Sequence, residues 1–197
     1  MSKLVAIESV TLDGVMQAPG RPDEDRRGDF TDGGWAVPYA DAVAGSFMAD
    51  RMPGSRALVL GRRTYEDFAG YWPKQTDNPY TEVLDNSTKY VASTTLSEPL
   101  PWRNSVLLEG DPCDAVGALR EEPGGDLVVL GSGDLTRSLM RRGLVDEFVL
   151  LIHPLVLGKG RRLFSAEGER AALRLLDSVP TSTGVVICTY ASETAHG

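Results

Sequence analysis

The segment Ala57-Leu58-Val59-Leu60-Gly61-Arg62-Arg63-Thr64-Tyr65 joins an apolar run to a glycine, two arginines and a threonine. The apolar run predicts a buried strand, and the residues after Gly61 predict the start of a helix. Glycine lets the backbone approach a ligand, a helix start offers free N–H groups, and arginine binds phosphate through two parallel hydrogen bonds. The segment therefore predicts an anion-binding turn formed by Gly61, Arg62, Arg63 and Thr64. The alternative is that both arginines belong to a solvated first helical turn.

The segment 128–136 repeats this arrangement, because an apolar run again leads through a glycine-rich turn into a helical pattern. Two turns of this kind in one small chain are typical of a dinucleotide site, although short glycine motifs also occur as simple tight loops. The candidate ligand-binding residues of the second turn are Gly131, Ser132, Gly133, Asp134, Leu135 and Thr136.

The composition limits what such turns can bind. With 197 residues the chain is long enough to bury a full core, and we interpret residues 1–197 as one domain. The net charge of −8 disfavours a nucleic-acid or anionic-membrane surface, since both require a basic excess. Arg62 and Arg63 are thus local cations on an acidic protein, which favours a small anionic ligand.

The sequence also indicates the compartment. Strand-like sequence follows Ser2-Lys3 directly, without the pattern of a signal peptide, and no apolar run approaches membrane-spanning length. We therefore expect a cytoplasmic protein. Cys113 and Cys188 are the only cysteines and belong to no paired motif, so we expect ordinary thiols, with neither a disulfide nor a metal site.

The order of elements predicts an α/β fold. Strands that alternate with helices imply a parallel sheet, whereas the closely spaced strands after residue 146 imply an antiparallel edge. We expect a mixed, mostly parallel, twisted sheet with helices on both faces. A helix over 38–52 should end at Pro53-Gly54, and the polar, glycine- and proline-rich loop before it, up to Gly34, is a candidate lid. Strands are predicted at 4–7, 57–60, 89–92, 106–108, 127–130, 147–152, 173–176 and 185–187, and further helices after Arg62, at 114–120 and at 134–142.

Six short motifs, taken in chain order, resemble the dihydrofolate reductase-like superfamily, in particular the branch related to the C-terminal reductase domain of the bifunctional riboflavin-biosynthesis enzyme. The resemblance covers nearly the whole chain. The motifs are Ser9-Val10-Thr11-Leu12-Asp13-Gly14-Val15, Gly61-Arg62-Arg63-Thr64-Tyr65, Ser93-Thr94-Thr95-Leu96, Gly131-Ser132-Gly133, and Leu144-Val145-Asp146-Glu147-Phe148 with His153-Pro154-Leu155-Val156-Leu157-Gly158.

The resemblance implies NADPH as the cofactor. The turn at Gly61–Thr64 would bind the adenosine-side phosphates, and Ser93 with Thr94 would bind the ribose 2′-phosphate. The turn at Gly131–Gly133 would lie against the pyrophosphate and the nicotinamide ribose. The last group of residues, expected near the nicotinamide ring, is Leu12, Asp13, Gly14 and Val15.

The resemblance also implies a catalytic carboxylate. Dihydrofolate reductases place it in a tryptophan-apolar-proline-x-acid pattern, which residues 35–41 reproduce with one extra residue, so Asp41 is the candidate that binds and helps to protonate a heterocycle. The alternative is a solvated aspartate in a first helical turn. His153 is predicted to be structural. Four aromatic residues could wall a pocket for a flat substrate, although core packing is their more usual role: Trp35, Tyr39, Phe47 and Trp72.

These features lead to three hypotheses. The first is a free-standing NADPH-dependent reductase of a small planar heterocycle, such as a pterin, folate or flavin-like compound. The second is the riboflavin-pathway pyrimidine reductase, which usually carries a glutamate where this chain has Leu130. The third is a non-catalytic protein that binds a nucleotide or a heteroaromatic ligand. Relatives in this branch are often homodimers, and we expect the same here, through the apolar strands near the C-terminus.

Overall fold

The computed structural model describes residues 1–51, 55–76, 78–164 and 170–193. Within these ranges the chain forms one eight-stranded sheet and five α-helices. The strands are β1 (Leu4–Thr11), β2 (Ser55–Gly61), β3 (Thr88–Ala92), β4 (Ser105–Leu107), β5 (Asp126–Leu130), β6 (Glu147–His153), β7 (Ala172–Pro180) and β8 (Val186–Glu193). The helices are α1 (Ala42–Arg51), α2 (Arg62–Tyr71), α3 (Pro79–Asn86), α4 (Pro112–Glu121) and α5 (Gly133–Arg141).

The strand order in the sheet is β4-β3-β2-β5-β1-β6-β8-β7. The first six strands run parallel, while β8 pairs antiparallel with β6 and β7 pairs antiparallel with β8. This arrangement confirms the predicted mixed sheet with an antiparallel C-terminal edge. Its central strands are apolar on both sides because helices cover both faces.

Alternate side chains of β1 enter two separate cores. Leu4, Ala6 and Val10 belong to a core that α4 and α5 cover, whereas Val5 and Ile7 belong to the core beneath α1, α2 and α3. Because successive residues of a strand point to opposite faces, one strand can contribute to both layers. The carboxyl ends of the parallel strands then meet along one edge of the sheet, which is where ligands bind in open α/β sheets.

Several boundaries differ from the sequence-based expectations. β1 continues to Thr11, four residues beyond its predicted end, because pairing with β6 extends along its whole second half. α1 begins only at Ala42, after a short 3-10 turn at Val37–Tyr39. Helix α3 was not predicted at all, since its sequence is polar and follows the turn signals at 71–73. The predicted helix stop at Pro53-Gly54 lies outside the described residues.

Both cysteines are free and buried. In the part of the chain that the structure describes, every helix is too short or too polar to cross a membrane.

Candidate active site

The predicted anion-binding turns lie next to one another at the carboxyl edge of the sheet. Because β2 pairs with both β3 and β5, the turn after β2 lies between the turns that follow its two neighbours. Ser93 and Thr94 follow β3, Gly61 ends β2, and Gly131 follows β5. The fold therefore brings together three groups of residues that are more than 30 positions apart in the sequence.

The two glycine turns contact each other directly. The backbone N–H of Gly61 donates a hydrogen bond to Ser132 Oγ (3.0 Å), and Thr64 Oγ1 donates to the carbonyl oxygen of Gly131 (2.9 Å). Gly131 has a φ of +60°, a conformation that glycine adopts without strain. These contacts place the first turns of α2 and α5 side by side. Helix N-termini carry partial positive charge and free N–H groups, so the pair can hold an anionic group.

Arginine side chains lie at both of these helix starts. Arg62 and Arg63 lie in the first turn of α2, where Arg62 pairs with Glu66 (2.9 Å) and Arg63 is exposed. At the start of α5, Asp134 is paired with Arg137 and with Arg161 (2.8 Å). Arg137 and Arg161 were not predicted as part of the site. Arg137 follows the glycine motif along α5, and Arg161 lies in a loop 27 positions after Asp134. The site therefore collects cations on a protein whose net charge is −8.

The serine-threonine turn after β3 has a defined shape. Ser93 Oγ accepts hydrogen bonds from the backbone N–H groups of Thr95 (3.1 Å) and Leu96 (3.0 Å), and Thr94 is exposed. Leu96 also borders a cavity of about 630 Å³ beside α2, which Tyr65 and Trp102 line as well. The residues that line this open space do not include those of the two glycine turns.

The turn after β1 is anchored to the segment that follows β6. Asp13 accepts hydrogen bonds from Thr11 Oγ1 (2.6 Å) and from the backbone N–H of Gly158 (2.9 Å), and the Thr11 bond is the main reason why the pKa of Asp13 falls to about 2. Leu12 is exposed, Gly14 has a φ of +80°, and Val15 is buried. Asp13 thus fastens this turn to the segment after β6.

Met16, the residue that follows this predicted group, reaches the second glycine turn. Its sulfur lies where a Cβ of Gly133 would be, 1.9 Å from that position. A side chain at position 133 would therefore displace the end of the Met16 side chain from the start of α5. A methionine in a loop gives no signal in the sequence, so this contact was missed.

The loop that was predicted to be a lid has a small core of its own. Val15, Ala18, Phe30 and Trp35 are buried together. The loop also contacts both helices of the site: Arg21 pairs with Asp67 of α2, and Arg27 lies 4.0 Å from Asp134 of α5. It therefore connects the middle of α2 with the start of α5.

The four predicted aromatic residues fall into separate groups. Trp35 and Tyr39 pack edge-on against His153, with ring centroids 5.0 and 5.7 Å away. Trp72 packs against Phe68, Tyr71 and Tyr80 beside α2, and Phe47 packs on the core beneath α1. A single wall made of all four is therefore not formed in this conformation.

His153 has the features of the predicted structural histidine. It is buried, and its Nδ1 lies 2.9 Å from the carbonyl oxygen of Leu151 and 3.3 Å from that of Val10. Nδ1 must carry the proton to donate to these oxygens. Burial lowers the pKa of His153, so the ring is neutral at pH 7.

Asp41 is occupied by structural contacts. One carboxylate oxygen accepts from the backbone N–H of Ala44 (2.9 Å) at the start of α1, and the other accepts from both the backbone N–H (2.7 Å) and Oγ (2.8 Å) of Ser182. These bonds, led by that from Ala44, lower the pKa of Asp41, so the carboxyl group is ionised at neutral pH. The geometry favours capping of α1 and anchoring of the turn between β7 and β8. A catalytic role for Asp41 stays a prediction.

The family model for the RibD C-terminal domain matches residues 2–187. This chain belongs to the RibD C-terminal domain family. Two proteins of Bacillus subtilis (strain 168), both uncharacterized, resemble it: YyaP is 33% identical over 68% of this chain and 72% of its own length, and YwjB is 28% identical over 60% and 63%.

Solved structures share the fold of this RibD C-terminal family member. A Shewanella sp. PV-4 protein that is assigned to riboflavin biosynthesis has a TM-score of 0.75 at 20% identity, covering 98% of this chain and 99% of its own. A pyrimidine reductase-like protein from Corynebacterium diphtheriae has a TM-score of 0.67 at 15% identity, covering 98% and 92%. Dihydrofolate reductase from Enterococcus faecalis, complexed with NADP(H), has a TM-score of 0.62 at 16% identity, covering 98% and 97%. The predicted dihydrofolate reductase-like fold is confirmed.

A second carboxyl group at the site of this RibD-type domain was not predicted. Glu8 of β1 is 2% exposed, and Thr136 Oγ1 of α5 donates a hydrogen bond to it (3.0 Å). Burial raises the pKa of Glu8 to about 8, so the group is neutral at pH 7. A glutamate on the inward face of an apolar strand, in line with Ala6 and Val10, is the signal that could have revealed it.

Replacing Glu8 by glutamine tests whether the buried carboxyl group is protonated in the folded protein. In the unfolded chain Glu8 has its ordinary pKa of 4.5, whereas the folded chain keeps the proton up to about pH 8. As the pH rises between these values, only the unfolded state loses the proton, so the wild type loses stability, by roughly 3 kcal/mol between pH 5 and pH 8. Glu8→Gln should not show this loss when the free energy of unfolding is measured in urea at a series of pH values. Glu121→Gln, at an exposed position of α4, should follow the wild type, and parallel profiles for Glu8→Gln and the wild type would contradict the assignment.

Proposed function

We propose that this protein is an NADPH-dependent reductase that transfers hydride to a C=N or C=O group of a small planar heterocycle of the pterin, folate or flavin type. The observation that carries the proposal is the direct contact between the two glycine turns, which brings two helix starts together, with Arg62 and Arg63 on α2 and Arg137 and Arg161 at the start of α5. Membership of the RibD C-terminal family and the fold shared with an NADP(H)-bound dihydrofolate reductase support it.

The residues present fit such a cofactor. Small residues at Gly61, Gly131 and Ser132 leave the backbone accessible, and the helix starts offer donors for a pyrophosphate. Arg62 and Arg63, with Ser93 and Thr94 across the neighbouring strand, are the donors proposed for a 2′-phosphate. When bound, NADPH would supply the hydride, and the acceptor would also need a proton on its heteroatom.

The chain would bind the heterocycle near the ends of β1 and β6. Trp35, Tyr39 and the neutral ring of His153 gather at the end of β6, which pairs with the end of β1. Asp41 directly precedes α1, the helix that follows this cluster. Because its pKa is lowered, Asp41 enters the proposal as a carboxylate that binds ring N–H groups, and the proton comes from water.

Two other functions have specific support. Similarity to a pyrimidine reductase-like protein favours reduction of a pyrimidine in the riboflavin pathway, although the chain covers only 58% of a RibD chain from Acinetobacter baumannii, and Leu130 stands where that activity would place a glutamate. A non-catalytic ligand-binding role is favoured by the structural hydrogen bonds that both carboxylate oxygens of Asp41 already accept. A cytoplasmic location is part of each proposal.

Cofactor preference tests the first turn. We expect NADPH to bind more tightly than NADH, because only NADPH carries the 2′-phosphate. A hydrogen bond to a charged group is worth roughly 1.5–3 kcal/mol, so Arg62→Ala or Arg63→Ala should weaken NADPH binding by about ten- to a hundredfold at whichever position makes the contact, and NADH binding should barely change. Titration calorimetry with both dinucleotides measures this. Arg142→Ala, at the exposed C-terminal end of α5, is the control, and equal affinity of the wild type for NADPH and NADH would remove the assignment.

Consumption of NADPH separates an enzyme from a binding protein. Absorbance at the nicotinamide band should fall when the protein and NADPH are mixed with the correct member of a panel of dihydropterins, folates, flavins and ribityl pyrimidines. A binding protein would show NADPH binding without consumption with any of them. Turnover of a ribityl pyrimidine alone would favour the riboflavin-pathway activity over the proposed one.

We also propose that the protein is a homodimer through β7. This edge strand is exposed along most of its length, and it presents the apolar side chains of Leu175 (52% exposed) and Leu176 (44%). An apolar edge of this kind is a hazard unless a partner covers it.

Light scattering tests the dimer. The wild type should have twice the chain mass of 21.3 kDa, and Leu175→Lys should shift the mass toward that of one chain, because a buried charge opposes association. Val106→Lys is a matched control, since Val106 is 45% exposed on β4 at the opposite edge of the sheet. A wild-type mass of one chain at micromolar concentration would exclude the dimer.

A further inference from the structure

Glu8 lies directly beneath the second glycine turn. Its side chain leaves the central strand β1 on the face that α5 covers, and it reaches Thr136 in the first turns of that helix. The backbone of Ser132 also hydrogen-bonds to it. Ser132 and Thr136 belong to the segment proposed to hold the cofactor's pyrophosphate. The carboxyl group and such a ligand would therefore use the start of the same helix, one from the interior and one from outside.

The surroundings of Glu8 are almost free of charge. Its partner on β6 is Leu150, and Ala6 and Val10, which share its face of β1, belong to the same apolar core. From α5, the charge that acts on Glu8 is that of Arg137, which is itself paired with Asp134. Asp134 is exposed and faces Arg137 and Arg161. No described carboxylate thus competes with Glu8 for the interior side of this turn.

The charge state of Glu8 affects the turn in opposite ways. A neutral carboxyl group holds Thr136 and Ser132 in place without opposing an anion outside. An ionised one places a negative charge at the start of α5, behind the position of the pyrophosphate, in a region where little solvent screens it. Two negative charges at one helix start repel each other.

We propose that Glu8 is a positioning residue for the second glycine turn, and that it must carry a proton for the dinucleotide's pyrophosphate to bind there. This inference rests on the proposed function. It assigns to the protein a pH-dependent affinity for the cofactor. Where Glu8 is already protonated, it keeps its proton when the dinucleotide binds, and where Glu8 is ionised, binding is coupled to the uptake of one proton by Glu8.

The expected size follows from proton linkage. With a pKa of about 8, Glu8 is protonated at pH 7 and largely ionised at pH 9. If only the protonated form binds, the apparent Kd for NADPH should rise about tenfold between pH 7 and pH 9.

The test is titration of the full-length protein with NADPH at pH 7, 8 and 9 and constant ionic strength. The wild type should weaken about tenfold, whereas Glu8→Gln, which is neutral at every pH, should keep a constant Kd. Glu147→Gln is the matched control: Glu147 is a buried glutamate on β6, but it pairs with Lys3 and Arg51 at the other end of the strand, so this variant should follow the wild type.

Thr136→Val provides a second variant in case Glu8→Gln folds poorly. The Thr136 hydrogen bond favours the ionised form of Glu8, so its loss should move the weakening of NADPH binding to higher pH. Tight binding at pH 7 with a Kd that stays constant to pH 9 in the wild type, or equal weakening in Glu8→Gln, would overturn the role of Glu8 and leave the reductase proposal intact. Absence of NADPH binding at every pH would overturn both.

Discussion

The contact between Gly61 and Ser132 is the interaction on which the site depends. It joins the end of β2 to the start of α5, two places separated by 71 positions in the chain, and the bond from Thr64 to Gly131 reinforces it. It is possible only because β5 inserts between β2 and β1 in the sheet. The crossover connections that produce this strand order therefore determine where two helix N-termini meet, before any side chain adds specificity.

Electrostatic compensation then shapes the site. The protein is acidic overall, yet arginines from α2, α5 and two loops converge on the helix starts, and Asp134 balances several of them. Surface ion pairs of this kind contribute little to stability, so their exchange for a bound phosphate costs little. Charge in the interior has a larger effect. Glu8 is buried and hydrogen-bonds to Thr136, and because little solvent surrounds it, its interaction with a nearby charge is poorly screened.

The sequence allowed the fold class, the parallel and antiparallel parts of the sheet and both glycine turns to be predicted, because each depends on local periodicity or on a short motif. It did not reveal which residues fill the space between those turns. Met16 and Arg161 approach α5 from loops, and such positions depend on long-range packing. Asp41 shows the opposite problem, since a motif placed it correctly at the start of α1 while its partner, Ser182, lies 141 positions away. The signal for Glu8 was present, as a polar residue in an inward-facing row, but it gave no partner.

The loop between β1 and α1 has a consequence for the thermodynamics of binding. Its core of Val15, Ala18, Phe30 and Trp35 is assembled with the rest of the chain, and the indole N–H of Trp35 donates to the carbonyl oxygen of Gln17 (2.7 Å). Fixing a backbone residue costs roughly 1–2 kcal/mol of conformational entropy, and here that cost is met during folding. A ligand that enters beside this loop has no disordered segment to arrange. Its affinity is therefore not reduced by the entropy cost of ordering this loop.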